Sequence, residues 1–259
     1  IDVSPVQIQG PKSEALMADL IGPAIHDMPY YGLLEGEIAG RDVVVSQSGF
    51  SGEKGYEIYL RDATLYSEDL WNTILEAGKK HNLMVIAPAH HRRIAAGILS
   101  WGQDMDFETL PFQCNLGYQV PRKKKQDYIG KATLEKVRGE MEAGNPPFKT
   151  ILVGMVFGGI PIDDYAPDFW LISGADGGDP IGYITSPWHS PELATNIAMG
   201  YVPWGMHAVG TKLTIHLPDE YSETPGVPET AEICEIPFRP SANPSARELA
   251  KEAGRGAAF

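Results

Sequence analysis

Between residues 150 and 236 the chain is cut into short apolar runs, at 150–157, 169–173, 180–185, 196–202, 212–217 and 230–236. Turn residues separate the runs, and no helix-length periodic stretch lies between them. Segments this short cannot each bury a core. They must pair into one curled or doubled sheet, a small antiparallel barrel or sandwich.

The first half reads differently. Leu16, Met17, Leu20 and Ile21 recur at helical spacing over 13–21, and Gly22 and Pro23 stop the helix. Runs 33–38 and 42–46, joined by Ala39, Gly40 and Arg41, predict a hairpin. A helix then extends to Lys80, with Leu70, Trp71, Ile74 and Leu75 as an apolar stripe that places Trp71 in the core. The next helix starts at Pro88 and carries His91, Ile94, Ala95 and Ile98 on one face. Residues 106–130 are loop-rich, and Lys131 begins a helix to about Met141.

Gly144, Asn145, Pro146 and Pro147 break the chain. The expected organisation is an α+β region at 1–147, a β domain at 148–239 and a tail at 240–259 with a short helix near 245–253. The chain opens on Ile1 and Asp2, and residues 5–10 already read as an interior strand. The fold is therefore expected to lack an N-terminal portion.

A formal charge of -13 argues against a polyanionic partner, because nucleic-acid binders spread lysine and arginine over a face. The basic run at 122–125 reads as a solvated loop. The 2 cysteines, Cys114 and Cys234, show neither metal-ligand spacing nor a disulfide framework. No apolar run reaches the roughly 20 residues a membrane helix needs. The expectation is a soluble cytoplasmic protein without metal.

The candidate site is the stretch SQSGFSGEKGYEIYL at 46–60. Gly49, Gly52 and Gly55 punctuate a turn, and the following alternation puts Tyr56, Ile58 and Leu60 on one strand face and Glu57 and Tyr59 on the other. A carboxylate fixed there can accept two parallel hydrogen bonds from a flat nitrogen heterocycle or a guanidinium. The glycines would let such a ligand come close. Arg92 and Arg93 have no carboxylate at the helical i+3 or i+4 positions, which leaves them as surface charges or anion ligands, and Arg93 more than Arg92 as a candidate for a functional or inter-element contact. His90 and His91 are about 100° apart on a helix and cannot grip one metal together.

The turn and strand SGFSGEKGYEIYL resembles the Gly-Tyr-Thr-Gly-Glu-x-Gly-Phe-Glu-Ile segment of the aminomethyltransferase (glycine cleavage T-protein) family. Similar runs follow in the family's order: IQGPK at 8–12, Arg93-Ile94, Trp101-Gly-x-Asp104, YIGKATL at 128–134 and SPELATNIAMGYVP at 190–203. The resemblance implies a folate-binding T-protein-like fold, present in part, followed by a small antiparallel β-barrel domain. It implies tetrahydrofolate as cofactor, with Glu57 anchoring the pterin. Phe50, Tyr56 and Trp101 would wall the channel, and Arg93 and Trp188 would lie near the cofactor. The sequence departs from the family at Pro88, Ala89 and His90, where Ala-Arg-Asp is usual, and at Asp163, where an arginine is expected.

The runs DVSPVQIQGPKS, MPYYGL and HHRRIAAGILSWGQDM are most similar to the branch that includes dimethylsulfoniopropionate demethylase. That branch implies a tetrahydrofolate-dependent demethylase acting on a small methyl donor such as a sulfonium. A sulfonium leaves as a neutral sulfide and needs no acid, whereas an ether needs a positioned tyrosine or histidine. The alternatives are glycine cleavage aminomethyl transfer, aromatic O-demethylation and a non-catalytic folate-binding domain of a larger protein. No catalytic residue is assigned from sequence.

Overall fold

The computed structural model describes residues 2–87, 90–122, 124–166 and 168–239. The expected tail helix and the helix start at Pro88 lie outside them. By contacts the chain divides into two compact units, meeting in sequence between Ala89 and His90.

In the first unit β1 (Val3–Gln9), β2 (Leu33–Ile38), β3 (Arg41–Ser46) and β4 (Gly55–Arg61) form an antiparallel sheet in the order β1-β4-β3-β2. The β2–β3 connection is the expected hairpin. Ala39 and Gly40 both take positive φ, the two-residue turn whose twist matches the flanking strands. Helices α1 (Ser13–Ile21) and α2 (Ala63–Gly78) bury their apolar faces with one face of the sheet. Ile8, Val43, Val45, Tyr56, Ile58 and Leu60 meet Leu16, Met17, Leu70 and Ile74 there. Each strand alternates, so Gln7, Glu57 and Tyr59 stand on the face away from that core.

Trp71 does not join this core. It is 41% exposed. The buried stripe of α2 runs through Ala63, Leu70, Ile74 and Gly78, and Trp71 sits about 100° from Leu70. Its ring instead helps line an open groove with Ser4, Pro5, Val6 and Leu60.

The second unit begins with α3 (His90–Ala95), much shorter than its apolar pattern predicts. Gly97 ends it in a Schellman motif: its N–H donates to Ile94 O (2.9 Å), and Ile98 N–H donates to Arg93 O (2.8 Å). Gly97 has φ +69°, and a side chain there would strike Ile236. Helix α4 (Lys131–Glu142) follows the loop-rich stretch.

Strands β5 (Thr150–Phe157), β6 (Trp170–Gly174), β7 (Gly177–Ser190), β8 (Thr195–Pro203), β9 (Lys212–Ile215) and β10 (Glu229–Cys234) then close a barrel, ordered β10-β5-β8-β7-β6-β9. It is filled by Val153, Met155, Ile172, Ile184, Ala198, Val202, Leu213 and Ile233. Strand β7 outlasts its expected end at Thr185 and takes in Pro187 and Trp188. Past Ile184 it pairs with β8 alone, across a bulge at Ile184/Ser186, so a residue without an N–H fits there. Among the described residues no helix is long and apolar enough to cross a membrane.

Gly200 lies where β8 packs closely against both β7 and β5. A Cβ there would lie 2.6 Å from the Tyr183 carbonyl and 2.8 Å from Met155 Cε. Gly200→Ala is expected to destabilise the protein by about 1–3 kcal/mol, the cost of overpacking, read as a lower urea midpoint at unchanged slope.

Candidate functional site

Glu57 lies on β4 between Gln7 of β1 and Ser46 of β3, so both flanking ladders fix its backbone. Its half-buried carboxylate is held from three sides. Gln7 Nε2 donates to Oε1 at 2.9 Å, Tyr59 Oη donates to Oε2 at 3.2 Å, and the Ser48 hydroxyl donates to Oε2. Ser46 Oγ lies 3.0 Å from Ser48 Oγ. Desolvation, and then the Glu57 charge, push the Tyr59 phenol above its ordinary pKa, so its proton stays on the bond to Glu57.

Two glycines of the preceding stretch, Gly49 and Gly55, make room for a side chain of the protein itself. A Cβ at Gly49 or at Gly55 would collide with the side chain of Gln9. Gln9 reaches from β1 beneath the turn, donates to Ser48 O at 3.2 Å and accepts from Ser51 Oγ at 2.8 Å. Gly10 N and Ser13 Oγ both donate to Lys54 O, at 2.8 and 3.0 Å, and pin the far end. The space that the sequence reading left for a ligand is filled by the protein.

A carboxylate has about four acceptor directions. Three are taken here, and the remaining capacity points away from the core. That capacity is on Oε1, because Ser48 and Tyr59 both hold Oε2, so a ligand N–H would reach Oε1 beside or in place of the exposed Gln7 amide. A carboxylate acceptor of this kind suits an N–H group such as those on a pterin edge.

The six candidate residues divide between the units. Phe50, Tyr56 and Glu57 belong to the first, and Arg93, Trp101 and Trp188 to the second. Phe50 is 40% exposed on the turn. Tyr56 faces the core, opposite Glu57, and is fully buried with no hydrogen-bond partner on its hydroxyl. It packs the sheet against the helices and presents no surface on which a ring can stack.

Arg93 is also withdrawn from ligand duty. Its side chain is 1% exposed and paired to Asp104 through Nη1 and Oδ2 at 2.6 Å. It donates as well to Ile98 O (3.2 Å), Gln103 Oε1 (3.1 Å), Ser186 Oγ (2.7 Å) and His90 Nδ1 (3.4 Å). All its N–H groups are committed. Asp104 in turn accepts from Ser100 N–H (2.8 Å), Thr185 Oγ1 (2.5 Å) and Ser186 Oγ (2.5 Å). This sealed network fastens the loop after α3 to β7.

Trp101 is 56% exposed and meets Phe107 edge to face at 4.8 Å. Trp188, on β7, stacks on His90 at 5.5 Å, and Tyr165 meets the His90 ring edge to face at 5.2 Å. Asp163 is exposed.

Gln7, Gln9, Ser48 and Asp104 went unassigned as site or network residues in the sequence. Gln7 and Gln9 carried a usable signal, since polar residues two apart on a strand share a face.

Residues 2–124 match the model of the GCVT N-terminal domain, and residues 168–238 match that of the glycine cleavage T-protein C-terminal barrel domain. The dimethylsulfoniopropionate demethylase DmdA of Ruegeria pomeroyi is 35% identical over 218 residues, 84% of this chain and 56% of the relative. An aminomethyltransferase of Flavobacterium psychrophilum is 32% identical over 213 residues, 81% of this chain and 55% of the relative. The chain thus spans little more than half the length of these relatives. The crystal structure of glycine cleavage system aminomethyltransferase T from Bartonella henselae superposes with a TM-score of 0.72 at 22% identity, over 94% of this chain and 61% of that one, a likeness of fold.

Removing one partner of the buried pair strands the other. Arg93→Met or Asp104→Leu alone is expected to cost about 3–5 kcal/mol. The double variant should cost less than the sum, as chemical denaturation of all three variants will show.

Burial, and then the charge of a neighbouring arginine, depress the pKa of both His90 and His91. The unfolded chain therefore binds protons at the ordinary histidine pKa of about 6.5 while the fold resists them. Their contribution to stability is present above that value and is lost as pH falls through the folded pKa. The urea midpoint should drop between about pH 7.5 and 5.5, and the drop should shrink in a His90→Gln/His91→Gln variant.

Proposed function

The chain belongs to the glycine cleavage T-protein family, and on that premise we propose that it carries the pterin-anchoring part of a tetrahydrofolate-dependent one-carbon transferase. The observation that supports this reading is the Glu57 carboxylate, presented outward from a central strand and oriented by Gln7, Ser48 and Tyr59. Bound tetrahydrofolate would supply the nucleophilic nitrogen that takes up the one-carbon unit.

Glu57 would hold the pterin edge, and the ladders on both sides of β4 would fix its position, so the contribution is alignment. Of the candidate aromatic residues in the same unit as Glu57, Phe50 on the turn is the exposed one and is available to cover flat surface. Tyr59 is a poor proton donor, because its pKa is raised and its proton already bonds Glu57.

Among donors, a methyl sulfonium such as dimethylsulfoniopropionate is the reading we favour. It needs no acid at the leaving group, and the relative that acts on it by name is 35% identical over 218 residues. Aminomethyl transfer is the second reading, carried by relatives such as the Flavobacterium aminomethyltransferase at 32%.

Glu57→Ala should weaken tetrahydrofolate binding by more than about 2 kcal/mol, the loss of a charge-assisted pair, with the thermal midpoint unchanged. Unaltered affinity by calorimetry would refute the anchor. Incubating the protein and tetrahydrofolate with a sulfonium, a methoxybenzoate and a lipoyl-bound aminomethyl donor should give 5-methyltetrahydrofolate from the sulfonium. Product from neither methyl donor removes the demethylase reading.

A further inference from the structure

We propose that Ser48, held in place by Gln9, is the positioning residue that sets the Glu57 carboxylate for its ligand. The proposal rests on the reading of Glu57 as the pterin anchor and adds what fixes that anchor. A glutamate on a strand has three rotatable side-chain bonds, and packing alone seldom holds its end on a half-open face. Here Oε2 takes bonds from the Ser48 and Tyr59 hydroxyls, while Oε1 has only the exposed Gln7 amide. One oxygen is therefore tied to the protein and the other is the exchangeable one.

Ser48 is able to do this because its own position is fixed. Its carbonyl accepts from Gln9 Nε2 at 3.2 Å, and the same Gln9 amide takes the Ser51 hydroxyl at 2.8 Å. Gly49 and Gly55 lie against the Gln9 side chain where a Cβ would not fit. The turn is thus clamped onto β1, whose neighbouring outward residue on that face is Gln7. Ser46 Oγ, 3.0 Å away, supports the Ser48 hydroxyl from β3. Gln9 fixes the turn, the turn aims Ser48, and Ser48 orients Glu57.

The test is a double-mutant cycle on tetrahydrofolate affinity by calorimetry, with near-ultraviolet circular dichroism to check the fold. Ser48→Ala should weaken binding about tenfold, the worth of one hydrogen bond to a charged group, and Ser48→Thr, which keeps the hydroxyl, should stay within about threefold. In a Glu57→Ala background, Ser48→Ala should change nothing further, because the residue it positions is gone.

An equal loss for Ser48→Thr and Ser48→Ala, or a full tenfold loss on top of Glu57→Ala, would overturn the proposal. The first outcome would show that the hydroxyl is irrelevant, and the second that Ser48 acts independently of Glu57. If Ser48→Ala binds normally while Glu57→Ala does not, the positioning role alone fails. If Glu57→Ala binds normally, the anchor reading fails and takes the positioning role with it.

Discussion

Strand β4 has a neighbour on each side, so its residues can point only into the core or away from it. Tyr56, Ile58 and Leu60 go inward and are buried to within 1% of complete. Glu57 and Tyr59 must then go outward, because a slip of one residue would drive a carboxylate among aliphatic side chains at a cost of several kcal/mol. The same burial that stabilises the unit fixes the register, and the register delivers the carboxylate. Whatever chemistry the chain performs at Glu57 depends on the apolar residues alternating with it.

The protein handles two carboxylates in opposite ways. Asp104 is sealed: Arg93 neutralises it, and Ser100, Thr185 and Ser186 complete its hydrogen bonds, so it acts as a rivet between loop and barrel. Glu57 has fewer donors, none of them a cation, and one oxygen faces solvent through an exposed amide. A buried ion pair with every direction filled has nothing left to offer a ligand. The residue with charge to spare is the half-open one.

The regular elements were legible in sequence because periodicity and turn chemistry agreed. Helix 13–21, the hairpin through Ala39 and Gly40 and all six barrel strands appear in the expected order, with β7 running well past its expected 180–185. Periodicity gives the direction of a face but not its width, and for that reason the pattern counts Trp71, one position beyond Leu70, as core. Helical spacing shows no partner for Arg93 and leaves an inter-element contact open without naming the residue that makes it. Its partner lies eleven residues on, beyond a Gly97 cap that turns the chain back. Trp188 lies past the expected end of its strand at Thr185, beside prolines that a strand paired on one side accommodates. The clamp under the turn was the least visible feature, since a glycine is equally compatible with a ligand and with a glutamine from another strand filling its empty side.

The filled turn also bears on which donor suits this architecture. Glycines kept for a neighbour's side chain leave the turn little freedom to close on a substrate, so its contribution is a fixed one. Tyr59, the ionisable hydroxyl bonded to the anchor, is tied to Glu57 and made a weaker acid by burial and by that charge. A reaction that must protonate its leaving group would need that proton released just when a bound ligand most needs the carboxylate held still. A methyl sulfonium makes no such demand, because its leaving group departs neutral and the protein need only hold the reacting atoms in line. An anchor whose bonded hydroxyl is already committed to it contributes alignment, and delivery of a proton is not its part.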